Sequence, residues 1–137
     1  MTDIGIHQVA IVNGFRMHYV TAGAGYPLLL LHGWPQSCYA WRKIIHPLAQ
    51  QFNVITPDLR GLGSSDRPLT GYDKRTLASD VYELARTLGL TRIGVVGHDW
   101  GGMVAYYLAY DHPELVERLM ILESIPGLGR SGDKMFR

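Results

Sequence analysis

The stretch Ile93-Gly94-Val95-Val96-Gly97-His98-Asp99-Trp100-Gly101-Gly102 decides how the rest of the chain is read. A short apolar run ends in a small-x-acid-x-small step, and the residues from Gly101 to Tyr110 read as a helix stopped near His112-Pro113. The pattern is a strand, a tight turn and a helix, with an aspartate at the apex. Gly97 and Gly101 let neighbouring backbone pass close by while the carboxylate projects beyond the carboxyl end of the strand. The helix aims its N-terminus at that carboxylate, where its unpaired N–H groups and dipole favour an anion. The competing reading is that Asp99 merely caps the helix, as aspartates often do, and that the glycines only ease packing.

Working outward, the same kind of apolar run recurs at Leu28 to Leu31, Val54-Ile55 and Leu119 to Leu122. Continuous rather than alternating apolarity suits strands of a parallel sheet covered by helices on both faces. Trp41 to Gln50 reads as one intervening helix. Leu77, Val81, Leu84 and Leu88 share a face of a second, which Gly89 is placed to end. Upstream, Gln8 to Val12 and Phe15 to Val20 flank Asn13-Gly14, the pair suited to a type I′ hairpin turn. The expected fold is therefore α/β: a mostly parallel sheet entered through an antiparallel hairpin, with helices on both faces. Residues 1–124 form this core. Residues 125–137, with Pro126, Gly127, Gly129 and Gly132, read as the start of a connection to something else.

Composition narrows the function classes. The chain has 137 residues, a formal net charge of +1 and one cysteine, Cys38, and its mean hydropathy is zero. One domain at most is expected. The charge gives no reason to expect nucleic acid or an anionic membrane as partner. A lone cysteine rules out an intrachain disulfide. No leader pattern or membrane-length apolar run is visible, so a soluble, cytoplasmic chain is expected. The six histidines lack metal-ligand spacing, so neither a metal nor another cofactor is expected.

Two further motifs complete the reading. His32-Gly33-Trp34-Pro35 follows the first apolar run, and Asp58-x-Arg60-Gly61-x-Gly63-x-Ser65 follows the second. Gly61-Leu62-Gly63 lacks the third glycine and following helix of a dinucleotide loop, so this segment reads as structural support. Taken in order with Gly97 to Gly102, the motifs resemble the epoxide hydrolase and haloalkane dehalogenase branch of the α/β-hydrolases, over roughly Val9 to Glu123. The resemblance implies that Asp99 is the nucleophile of an elbow that carries serine in esterases. It also implies that the backbone N–H groups of Trp34 and Trp100 form an oxyanion hole. Trp34, Pro35 and Trp100 would line the substrate site, with His32, Gly33, Gly97, His98, Gly101 and Gly102 as structural support. His98 is expected to be a packed or hydrogen-bonded neighbour, because adjacent residues point different ways.

Aspartate in place of serine carries chemical information. It is already ionised at neutral pH, with a reference pKa of about 3.9. Attack on a carbonyl would give a reactive anhydride, whereas attack on a saturated carbon with a leaving group gives an ester that water can cleave. The expected substrate is thus a small apolar electrophile, an epoxide opened to a diol. Haloalkane or haloacid dehalogenation by the same ester is the alternative. In fluoroacetate dehalogenases, which share His-Gly-x-Pro-Gln, arginine stands at the position of Trp100, so this sequence argues against a carboxylate-bearing substrate. The resemblance places the catalytic histidine, its acid partner and the cap tyrosines in later segments. The expectation is that this chain alone does not turn over, its partner being a missing C-terminal half or a second copy. A non-catalytic hydrolase-like binding protein and an unusual esterase are the remaining alternatives.

Overall fold

The structure, a computed structural model, describes residues 3–124. The connection expected over 125–137 lies outside the described residues. Strands β1 (Ile6–Val12) and β2 (Phe15–Ala22) form the entering hairpin. Asn13 and Gly14 take φ of 48° and 83° between paired Val12 and Phe15, as a two-residue hairpin turn demands.

Four further strands follow, β3 (Tyr26–Leu31), β4 (Phe52–Pro57), β5 (Ile93–His98) and β6 (Val116–Leu122), in the spatial order β1-β2-β4-β3-β5-β6. The β1–β2 and β2–β4 pairs are antiparallel and the rest parallel. After β4 the chain reverses its direction of travel across the sheet. Right-handed crossovers then force the helices onto the other face. Accordingly α1 (Ile45–Ala49) covers one face, while α2 (Lys74–Thr87) and α3 (Trp100–Asp111) cover the opposite one.

The central strand shows why the two cores form. Leu29 and Leu31 pack with Leu77, Val81 and Val104 on the α2–α3 side, and Leu30 packs with Trp41 and Ile45 on the other. All three leucines are fully buried, each contributing about 2 kcal/mol of apolar transfer. Helix α2 begins on Asp73, whose carboxylate accepts the Thr76 N–H at 3.0 Å. It ends at Gly89 (φ 72°), where Leu90 N–H reaches Ala85 C=O at 2.9 Å, the Schellman arrangement.

One expectation needs correction. The helix expected over Trp41 to Gln50 is only one turn of 3-10 helix at Cys38–Trp41 and the five-residue α1. Its start at Ile44 has no side-chain cap, so nothing local extends it upstream. Among the described residues β6 is the last strand on its side of the sheet, and Leu119, Met120 and Leu122 are exposed there.

Charge ties the hairpin to the helical face. Arg60 Nε and Nη2 donate to the two oxygens of buried Asp80, both at 2.8 Å. Asn13 Nδ2 from the hairpin turn donates to the same carboxylate at 2.8 Å. Replacing Asp80 by alanine would strand the Arg60 guanidinium in the interior. A loss of about 3–5 kcal/mol is expected, read as a lower urea midpoint with an unchanged slope.

Candidate active site

The direction reversal after β4 leaves a crevice at the carboxyl ends of β3 and β5, whose connections depart to opposite faces. Open α/β sheets hold their ligands at such a point. The loop after β3 carries His32 to Pro35, and the turn after β5 carries Asp99.

Asp99 sits at φ 56°, ψ −120°, a strained conformation for a residue with a Cβ. It occupies the N-cap position of α3, yet its side chain makes no capping hydrogen bond. Instead Asp99 Oδ2 accepts the backbone N–H of Trp34 at 3.0 Å. The capping alternative therefore fails on geometry. The turn is tight enough that a Cβ on Gly97 would strike the Gly101 carbonyl, and one on Gly101 the Leu31 carbonyl. A Cβ on Gly33 would lie 2.6 Å from Asp99 Cβ. Gly102 has Ser124 against it in the same way. These glycines are demanded by close approach, not by backbone angle.

The crevice wall is aromatic. Trp34 is 57% exposed, and its ring stacks on Trp100 with centroids 5.9 Å apart. Pro35, joined to Trp34 by a cis peptide bond, is also exposed. The Trp100 N–H opens α3 and belongs to the first-turn donors that have no acceptor within the helix. His32 is buried and held at both ring nitrogens. Nδ1 lies 2.7 Å from the Gly33 carbonyl, and Nε2 accepts the Leu59 N–H at 3.0 Å, which fixes the proton on Nδ1. It ties the two loops together and has no nitrogen left for proton transfer. His98 lies 3.0 Å from Glu123 Oε2, a hydrogen-bonded neighbour that points away from Asp99's partners.

Sequence reasoning read the Asp58 segment as structural support but missed two features, the partners of its carboxylate and Lys74. Asp58 is a buried hub: Oδ1 accepts Cys38 N–H at 2.7 Å, and Oδ2 accepts Ser64 N–H at 2.8 Å and His18 Nδ1–H at 2.7 Å. Burial alone would raise its pKa, but the Ser64 and Cys38 amides and His18 together bring it below the ordinary carboxylate range. Burial, with Asp58 adding to it, pushes the Cys38 thiol up to about 12. The potential metal ligands of His18, Cys38 and Asp58 lie within 4.8 Å of one another. The carboxylate is nevertheless saturated by N–H donors, which makes the group a clamp on strand β2 and two loops. The second missed feature is Lys74, whose Nζ lies 3.6 Å above the centre of the Trp100 ring. Apart from Ser64, six residues from Asp58, the partners come from segments far apart in sequence.

A family model of the alpha/beta hydrolase fold matches residues 26–135. The chain belongs to this family. This α/β-hydrolase is 65% identical over 132 residues to a soluble epoxide hydrolase of Corynebacterium sp. (strain C12), covering 96% of the chain and 46% of the relative. It is 42% identical over 120 residues to a fluoroacetate dehalogenase of Burkholderia sp., covering 84% and 40%. The solved structure of the epoxide hydrolase CorEH without ligand matches it with a TM-score of 0.91 at 64% identity, over 94% of this chain and 46% of that one. The α/β-hydrolase chain thus spans less than half the length of these relatives. No helix among its described residues is long and apolar enough to cross a membrane.

Acid should loosen the loop that holds Trp34. Burial lowers the His32 pKa more than the Gly33 carbonyl and Asp58 raise it. The unfolded chain takes up a proton near pH 6.5 that the folded chain resists, so stability falls as pH drops below that value. Urea titrations at pH 7 and pH 5.5 are expected to show this loss, and a His32→Asn variant, less stable at pH 7, should show a shallower pH dependence.

Proposed function

We propose that this α/β-hydrolase chain carries the nucleophilic half of an epoxide hydrolase, with Asp99 as nucleophile. The observation that carries the reading is the strained Asp99, whose carboxylate caps nothing and instead takes the Trp34 N–H from the facing loop. Strain at a residue that does no structural capping is a mark of chemistry. The soluble epoxide hydrolase relative, at 65% identity, supports the substrate class.

The hydrogen bond divides the labour of the two oxygens. Oδ2 is held by Trp34 N–H, which leaves Oδ1 to attack. Oδ1 bonds to an epoxide carbon as that carbon's ring C–O bond breaks. The electron pair leaves on oxygen, which takes a proton from solvent water and releases hydroxide, giving a 2-hydroxyalkyl ester of Asp99. Oδ2 is then the ester carbonyl oxygen. When water adds to the ester, negative charge collects on Oδ2, already against one donor and beside the start of α3. The Trp34 and Trp100 N–H groups are the oxyanion hole in this reading, and the Trp34–Pro35–Trp100 surface receives the substrate's apolar part.

Water still needs a base. His32 has both ring nitrogens engaged, and His98 is turned to Glu123. The described residues therefore perform the alkylation, and the hydrolytic base belongs to another segment of the whole protein. A second reading, displacement of halide by the same Oδ1 attack, is favoured by the fluoroacetate dehalogenase relative at 42% identity.

Incubation with a reactive terminal epoxide and peptide mass analysis are expected to show one adduct per chain, on Asp99. Asp99→Asn should reduce its formation by at least about 100-fold. Sustained diol release by the isolated chain would overturn the assignment of the base elsewhere, and an adduct on another residue would overturn the nucleophile.

A further inference from the structure

Lys74 stands where stability does not want it. As the first residue of α2, after the N-cap Asp73, it adds a positive charge to the positive end of a helix dipole. It is partly buried, and burial lowers its pKa despite the raising effects of Asp73 and Asp99. The other cations nearby are committed to carboxylates: Arg60 to Asp80 and Arg75 to Asp111. Among the described residues Lys74 takes part in no ion pair. The Asp73 carboxylate is occupied with Thr76 N–H and Oγ1. What holds the Lys74 ammonium is the face of Trp100, the residue that follows Asp99. An unpaired, partly desolvated cation is thus fixed beside a nucleophile in an aromatic crevice.

We propose that Lys74 is a specificity-determining residue of the Asp99 site, binding the carboxylate of small acidic electrophiles such as 2,3-epoxy acids or 2-halo acids. The inference rests on the reading of Asp99 as nucleophile and extends it to a substrate class. An anionic substrate approaching Asp99 is repelled by the nucleophile itself. An ammonium held over the ring of the next residue, Trp100, offsets that repulsion and orients the acid, and the N-terminus of α2 adds to the same potential. The sequence argued against acidic substrates because Trp100 replaces an arginine. The fold returns the missing charge from a different helix, across the face of that tryptophan.

Isosteric pairs that differ only in charge test this. Lactate and lactamide, unreactive, are titrated against indole emission. Glycidate and glycidamide, and bromoacetate and bromoacetamide, are compared for the rate of adduct formation on Asp99. Lactate is expected to bind about tenfold more tightly than lactamide. That ratio should collapse in Lys74→Met, persist in Lys74→Arg and shrink as salt is raised. The glycidate and bromoacetate arms separate an epoxy acid from a halo acid as the faster reagent. Equal binding of lactate and lactamide by the unmodified chain would overturn the proposal, as would a preference that survives Lys74→Met. Failure of the nucleophile reading is distinct: Asp99 would carry no adduct from any reagent while the binding preference could still be read.

Discussion

The structure depends on how closely three backbones meet around Asp99. An L-residue at φ 56°, ψ −120° is uphill by about 1–3 kcal/mol and persists only where its surroundings leave no alternative. Here the surroundings are carbonyls and glycines. Gly97 lies against Gly101, Gly101 against the end of β3, and Gly33 against Asp99 itself. The central parallel pair β3–β5, in register from Leu28↔Gly94 to Leu31↔Gly97, brings these segments together. The burial of Leu29, Leu30 and Leu31 keeps that pair in place. Apolar packing several residues away thus holds a strained carboxylate at the carboxyl end of β5.

The framework was legible in the sequence where its causes are local. Asn13-Gly14 carries its own turn preference, and the periodic leucines of α2 carry their own face. The elbow was legible because strand, glycines and acid occur within ten consecutive residues. The same holds for Trp34 and Trp100, each adjacent to a glycine-bearing motif. What was illegible is non-local. The segment before β4 looked helical, but its start is fixed by Cys38 N–H donating to Asp58 Oδ1 across 20 residues.

The candidate site divides along the same line. Asp99, Trp34 and Trp100, the proposed nucleophile and oxyanion donors, are sequence neighbours of turns, and turn chemistry is written in short motifs. Charge placement is not. Lys74 reaches Trp100 from the start of another helix, and Glu123 reaches His98 from the end of another strand. Trp100 itself carries no charge, and the ammonium over its ring comes from an element 26 residues upstream.

The Asp58 clamp has a consequence for how this region tolerates change. One carboxylate holds β2 through His18, the approach to α1 through Cys38, and the loop after β4 through Ser64. Substitutions at these positions do not act independently, because each loss leaves the remaining donors sharing a disturbed acceptor. Such sites drift together or not at all. Trp34 and Pro35, by contrast, are exposed and contribute mainly backbone and surface. Substitution at the rim therefore changes mainly the crevice surface, while substitution beneath it disturbs β2 and two loops together.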